Sequence, residues 1–298
     1  MATDVKTAAE VVQDLKSRGL DPSGLSRVGV RPSIAEYLRE LWNRRHFIWM
    51  DSHHRVATQN SRNILGNIWL VLRPLLDAAM YFVIFGMILR ADRGVDNFSA
   101  YIVIGVLMFR STTGSISQGP TILKSGKAMI RAFSFPRAAL PISAELRAAM
   151  QMIITVTVML VMIIVLPKHE YPQVAWLLIV PLFLLQCVLN LGISLLMARV
   201  GFLIPDVAQV MSVVSRLLMY GSGIIFPIDR YLTHPVVSVI IQANPVFQMV
   251  HMYREILMDG TVPEARSWIV LSAWAVGLLV VGFLFFWRGE ATYGDEQR

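Results

Sequence analysis

The sequence predicts an all-α integral membrane protein: six transmembrane helices, an N-terminal amphipathic interface helix, and re-entrant half-helices between the fifth and sixth spans. Composition is the first observation, because only 16% of the 298 residues are charged and 55% are hydrophobic. A water-soluble domain usually carries about 25% charged residues. The second observation is that the apolar residues form runs of roughly 20, the length that a helix needs to cross a bilayer. Together these observations disfavour a large soluble globule.

Residues 1–63 are predicted to form a cytoplasmic N-terminal segment that contains the interface helix. Ser33 and Glu36 have the spacing of a capping box, which predicts a helix start. Apolar residues fall on one face of this helix and arginines on the other, as is typical of helices at a membrane surface. Packing against a protein partner is the alternative, and both can hold. The apolar face comprises Ile34, Leu38, Leu41, Trp42, Ile48 and Trp49.

Residues 64–287 are predicted to form the transmembrane domain, and residues 288–298 a cytoplasmic tail. The predicted spans are residues 64–89, 98–118, 148–166, 174–198, 207–228 and 267–287. Two apolar pieces, 235–241 and 246–258, lie between the last two spans and are too short to cross. They therefore predict re-entrant or interfacial half-helices.

The distribution of basic residues predicts the orientation of the spans. Lysine and arginine are frequent in the N-terminal segment and around the loop after the second span, whereas the first and third loops are balanced. Cytoplasmic loops of membrane proteins carry this excess, so both termini are predicted to be cytoplasmic. The same rule accounts for the net charge of +7 without a nucleic-acid partner. The basic residues of the second loop are Lys124, Lys127, Arg131, Arg137 and Arg147.

Catalytic, metal-binding and nucleotide-binding patterns are not found in the sequence. Residues 119–127, GPTILKSGK, have six residues between their glycines, whereas a phosphate-binding loop has four. Ala128 also stands where a serine or threonine would hold magnesium. The sequence therefore predicts that this chain is not an enzyme and binds no cofactor or metal.

Charged residues inside the predicted spans are the strongest indication of function. Arg73 and Asp77 are four residues apart, so they share a helix face and can pair. Arg110 and Arg216 also lie in membrane segments, where a charge is costly unless it is paired or hydrated. Extension to the interface is an alternative for Arg73. With the serines and threonines of residues 111–117, these charges predict a hydrated pathway for a polar, anionic substrate.

Three motifs occur in order along the chain. The first comprises Leu65, Gly66, Trp69, Leu72, Pro74, Tyr81, Phe85 and Gly86. The second comprises Phe135, Pro136, Arg137, Leu140 and Pro141, and the third Asn244, Pro245, Arg254, Leu257 and Gly260. Over residues 34–290 the sequence resembles the permease subunits of polysaccharide ABC exporters, the type-2 ABC exporter family. Two stretches depart from the family pattern. Residues 202–206 lack the arginine that the pattern has there, and residues 223–227 match the pattern less closely.

The resemblance implies a homodimer that works with two copies of a separate ATPase subunit. ATP and Mg²⁺ would be bound by that subunit. The implied substrate is a polyprenyl-lipid-linked polysaccharide of the O-antigen, teichoic acid or galactan type. The implied location is the bacterial inner membrane, in contact with its lipids.

The resemblance also implies roles for individual residues. The basic loop of residues 129–141 would couple to the ATPase through Arg131, Phe133, Phe135, Pro136 and Arg137, although it can also serve as a topology signal alone. The substrate pathway would include Arg73, Asp77, Tyr81, Arg110 and Arg216. The link near residues 52–67 would gate lipid access through His54, Arg55 and Arg62.

Three other functions remain open at this point. An exporter of drugs or simple lipids could share the architecture. A membrane enzyme acting on polyprenyl-phosphate sugars would need carboxylates clustered at one membrane face, yet Asp77 is the only acid deep in a predicted span. A channel would need no ATPase.

Overall fold

The computed structural model describes residues 17, 32–59, 63–88, 95–133, 135–166, 169–225 and 235–293. Within these ranges the chain is helical with short connections and no strand, which confirms the predicted all-α class. The α-helices are α1 (Ile34–Asn43), α2 (Arg45–Thr58), α3 (Trp69–Tyr81), α4 (Phe98–Gln118), α5 (Ile122–Ser125), α6 (Lys127–Ala132), α7 (Ala139–Val165), α8 (Ile179–Leu203), α9 (Val207–Gly221), α10 (Pro235–Ala243), α11 (Pro245–Arg254) and α12 (Ala265–Arg288).

Helix α1 begins at the predicted capping box. The Glu36 amide donates to the Ser33 hydroxyl oxygen at 3.3 Å, and the Ser33 amide donates to the Glu36 carboxylate at 3.0 Å. The Ser33 hydroxyl also donates to the Glu36 carboxylate at 2.8 Å. This bond and the one from the Ser33 amide lower the pKa of Glu36 below its usual value, because both favour the ionised carboxylate. Tyr37 and Leu41 are buried against the rest of the chain, whereas Trp42 is exposed. The apolar side of α1 is therefore divided between a protein contact and an outward surface.

Five helical segments in the described part of the chain are long and apolar enough to cross a membrane. They are Gly66–Phe85, Phe98–Ala132, Ala139–Val165, Val174–Leu203 and Ala265–Arg288. They correspond to the predicted first, second, third, fourth and sixth spans.

The predicted fifth span is a shorter helix in the structure. Helix α9 has 15 residues, Val207–Gly221, and spans roughly 22 Å at 1.5 Å per residue. The hydrocarbon core is about 30 Å thick. The predicted end of this span, at residues 226–228, lies outside the described residues, so the sixth crossing stays a prediction.

The predicted loop between the second and third spans is largely helical. The end of the second span at Gln118 agrees with the helix, whereas the predicted start of the third was wrong. Helix α4 continues through a short 3₁₀ turn, Gly119–Thr121, into α5 and α6. Helix α7 already begins at Ala139 rather than at residue 148. Glu145, near the start of α7, does not mark a helix end, because a neighbouring helix supplies its hydrogen bond. The Ser115 hydroxyl of α4 donates to the Glu145 carboxylate at 3.1 Å.

The two apolar pieces predicted as half-helices form α10 and α11. Asn244 separates them, and its side-chain oxygen accepts from the Val246 amide at 2.9 Å. Pro245 follows at the first helical position, where its missing amide proton costs nothing. Helix α11 is largely buried within the chain. A re-entrant position of these helices in a membrane stays a prediction.

Helices α8 and α12 touch through their backbones. A Cβ atom added at Gly282 would lie 2.5 Å from the Gly192 carbonyl oxygen, and one added at Gly192 would lie 2.5 Å from the Leu279 nitrogen. Neither position leaves room for a side chain. Helix α4 packs against α8, and much of it is buried in the main core.

Candidate functional site

A polar cavity of about 910 Å³ is bordered by helices α2, α3, α4 and α7. Its charged lining consists of four arginines and one aspartate, in a chain of which only 16% is charged. Guanidinium groups match phosphate and carboxylate oxygens in geometry and charge. The cavity is therefore suited to a polar, anionic group. The charged lining residues are Arg55, Arg73, Asp77, Arg110 and Arg147.

The cavity lining on α4 and α7 follows from helical spacing. On α4, positions 110, 113, 114, 117 and 118 recur every three or four residues and so share one face. On α7, Arg147, Gln151 and Thr155 are spaced four apart and face the same space. This α7 face was not predicted, because Arg147 was expected to lie in a loop. The four-residue repeat was the signal that could have found it.

The predicted pathway residues Arg73, Asp77 and Arg110 all line the cavity. The side chains of Arg73 and Asp77 face it from the same side of α3. The Asp77 carboxylate forms its ion pair with Arg110 of α4, and not with Arg73 as the spacing suggested. The α3 face lies against the polar face of α4, so the pair forms between helices.

Tyr81 and Arg216, the other predicted pathway residues, are not part of this cavity lining. The Tyr81 hydroxyl contacts the Met219 sulfur at 3.6 Å, and its ring stacks on Phe85. Arg216 is exposed on α9. The described chain therefore brings together three of the five predicted pathway residues.

The predicted gate residues lie on α2 or beyond its end. Arg55 lines the cavity and forms an ion pair with Asp51, with 2.8 Å between Nε and Oδ1. His54 is exposed, and Arg62 lies outside the described residues. Ser52 is fully buried and donates to the Ser143 carbonyl of α7 at 3.0 Å, which fixes α2 beside the cavity.

Residues 131–138, here called the coupling segment, comprise the end of α6 and its connection to α7; residue 134 is outside the described part. Arg131 and Phe133 are exposed, and Phe133 shows 68% of its surface. Phe135 and Pro136 are buried within the chain. Arg137 forms an ion pair with Glu290, with 3.3 Å between Nη1 and Oε1. Of the five predicted coupling residues, two face outward and three pack inside.

Arg254, from the third motif, is buried away from the cavity. Its guanidinium donates to the carbonyls of Gly223 at 2.8 Å, Ile224 at 2.9 Å and Tyr101 at 3.2 Å. It also lies 3.3 Å above the centre of the Tyr101 ring. This side chain joins α4, α11 and the turn after α9.

Residues 54–258 match the family described as ABC-2 type transporter. The chain is 24% identical over 225 residues to an O-antigen export system permease protein RfbA of Klebsiella pneumoniae, covering 75% of this chain and 84% of that protein. It is 20% identical over 242 residues to a protein of the same name from Myxococcus xanthus, covering 81% and 92%. It is 25% identical over 244 residues to the polysialic acid transport protein KpsM of Escherichia coli, covering 79% and 91%.

Proposed function

Because the chain belongs to the ABC-2 type transporter family, we propose that it is the permease subunit of an ATP-driven exporter of lipid-linked polysaccharide in the bacterial inner membrane. Relatives named for O-antigen export and polysialic acid transport support this substrate class. The single observation that carries the proposal is the arginine-lined cavity beside α2. Arginines are costly in membrane segments unless they are paired or hydrated, so four of them around one cavity support a hydrated space that binds anionic groups.

In this proposal the cavity receives the polar, anionic part of the substrate. The arginines bind acidic groups, and the serine, threonine and glutamine side chains offer hydrogen bonds to sugar hydroxyls. Helix α2, with His54 and Arg55, forms the gate through which the lipid-linked substrate reaches the cavity, and Arg62, which follows α2 in the sequence, belongs to the same predicted gate. Tyr81 and Arg216 do not line this cavity and are proposed to belong to the substrate pathway beyond it.

The energy comes from a separate ATPase, which binds ATP and Mg²⁺. Two copies of this ATPase dock on the cytoplasmic side of a permease homodimer. The exposed Arg131 and Phe133 are the docking residues: the ring fits an apolar pocket and the guanidinium an acidic group. Phe135, Pro136 and Arg137 hold the coupling segment in place from inside, and both termini lie on the same side.

Export by the Arg110→Ala variant tests the proposal. The complex with the ATPase is reconstituted in liposomes, and ATP-dependent movement of the lipid-linked polysaccharide is measured. We expect export to fall roughly tenfold while the complex still assembles, because the loss of one charge-assisted contact costs about 1.5–3 kcal/mol. Arg266→Ala is the matched control, since Arg266 is exposed at the start of α12 and outside the cavity lining.

The outcomes separate the competing functions. Equal export by Arg110→Ala and wild type would remove the cavity from the pathway. Export without ATP would indicate a channel. Transport of a simple lipid or drug, with no movement of polysaccharide, would favour the other exporter class, and chemical change of the glycan would indicate an enzyme.

A further inference from the structure

A buried hydrogen bond joins the two ends of the described chain. The Tyr37 hydroxyl on α1 donates to Oε2 of Glu290, in the 3₁₀ turn after α12, at 2.6 Å. Tyr37 has no exposed surface and Glu290 only 3%. A buried carboxylate is costly unless several donors satisfy it, so its other partners determine what the pair does.

Those partners all belong to the coupling segment. The backbone amide of Arg137 donates to Oε1 of Glu290 at 2.9 Å, and its guanidinium reaches the same oxygen at 3.3 Å. The amide of Ala138 donates to the Tyr37 hydroxyl oxygen at 3.0 Å. Ala138 is the N-cap of α7, where backbone donors have no acceptor within the helix. Tyr37 and Glu290 therefore hold the point at which the coupling segment becomes α7.

Further contacts attach the same helices along their length. The Phe47 ring of α2 packs against the Phe135 ring, with 6.2 Å between centres. Ser52, one turn before the cavity-lining Arg55, donates to the Ser143 carbonyl of α7. The contacts of Tyr37, Phe47 and Ser52 thus connect α1 and α2 to residues 135–143. A displacement of the coupling segment must carry α2 with it or break buried contacts.

We propose that Tyr37 and Glu290 are positioning residues that transmit movement of the coupling segment through α1 and α2 to the cavity wall at Arg55. This inference rests on the proposed function, since the movement is driven by the partner ATPase. Both residues lie outside the range 54–258 that matches the transporter family. Their role concerns the ratio of substrate moved to ATP hydrolysed, and not the docking of the ATPase.

The first test measures ATP hydrolysis and polysaccharide export in the same reconstituted complexes. For Tyr37→Phe we expect hydrolysis to stay within twofold of wild type while export per ATP falls about tenfold. Tyr293→Phe is the matched control, because Tyr293 is also nearly buried but its hydroxyl donates to the Phe286 carbonyl at 2.8 Å. It should keep the wild-type ratio.

The second test needs no transport and uses hydrogen exchange of the purified permease. In Tyr37→Phe, we expect the Arg137 and Ala138 amides to exchange about tenfold faster. The Ala138 amide loses its acceptor, the Tyr37 hydroxyl, and the Glu290 carboxylate that accepts from Arg137 loses the bond that holds it. Glu290→Gln, which preserves the side-chain volume, should show the same direction and replaces Tyr37→Phe if that variant assembles poorly.

The two tests distinguish a failure of the proposed function from a failure of this inference. If the wild-type complex exports no polysaccharide, the proposed function fails, and the exchange experiment still decides whether Tyr37 holds the coupling segment. Unchanged amide exchange in both variants would overturn the inference. So would a parallel loss of hydrolysis and export, because that result indicates only a destabilised fold.

Discussion

Replacement of Arg254 by alanine should destabilise the permease strongly, although this residue is remote from the cavity. Arg254 is 8% exposed and donates to three backbone carbonyls. Those carbonyls belong to Tyr101 of α4 and to Gly223 and Ile224 in the turn after α9. Alanine removes every donor and leaves the Tyr101 ring without its cation.

The expected loss can be worked out from the separate contacts. The Ile224 carbonyl loses the donor that Arg254 gives it, at a cost of about 1–3 kcal/mol. The Gly223 carbonyl keeps a donor, the Tyr101 hydroxyl at 2.7 Å, so its loss is smaller. The cation–π contact adds about 2 kcal/mol at a desolvated site. Removal of a buried charge partly offsets these terms, so we expect a net loss of about 3–5 kcal/mol.

Thermal unfolding in detergent, followed by size-exclusion chromatography, measures this loss. At roughly 2–4 °C per kcal/mol for a protein of this size, the midpoint should fall by about 10 °C. The unfolding midpoint of Arg254→Lys should fall by about half as much, because one ammonium group cannot reach all three carbonyls. Arg216→Ala removes the same charge from an exposed site and should shift the midpoint little. Equal midpoints for Arg254→Ala and Arg216→Ala would refute the reasoning.

Three further predictions concern docking, packing and pH. Phe133→Ala should weaken ATPase binding about tenfold in titrations of stimulated hydrolysis, because an exposed aromatic anchor is lost; no weakening would remove Phe133 from the docking surface. Gly282→Ala should lower the free energy of unfolding by about 1–3 kcal/mol. Gly277→Ala should not, because its Cβ would meet nothing within 4 Å. Equal stability of the two variants would contradict the close contact of α8 and α12. Burial raises the pKa of Glu290, so its contribution to stability is full below the ordinary carboxyl pKa and is lost as the pH rises through the raised value. Over that pH interval, the unfolding midpoint of wild type should fall relative to that of Glu290→Gln. Midpoints that change with pH in the same way for both proteins would argue against a buried carboxyl.

Local patterns in the sequence predicted the elements that depend on local physics. The capping box at Ser33 and Glu36 formed as predicted, because both partners lie within one turn. The apolar runs predicted the five described helical segments that are long and apolar enough to cross a membrane, since a span requires mainly length and apolarity. The Asn244-Pro245 break between α10 and α11 also followed from residue type.

Contacts between distant residues could not be predicted in this way. The pair of Tyr37 and Glu290 is separated by 253 positions, and no periodicity connects them. The choice of Arg110 as the partner of Asp77 depends on how α3 packs against α4. The start of α7 was misplaced for a related reason: Glu145 looks like a loop residue until the Ser115 hydroxyl of another helix is known to reach it.

The side-chain-free crossing of Gly192 and Gly282 has a mechanical consequence. Two helices in backbone contact cannot slide or rotate against each other without a collision of main-chain atoms. Helices α8 and α12 are therefore expected to behave as one rigid pair. We therefore expect any rearrangement that opens a passage to take place in other helices, such as α2 and α3 at the cavity wall. We expect the α8–α12 pair to stay fixed while those helices move.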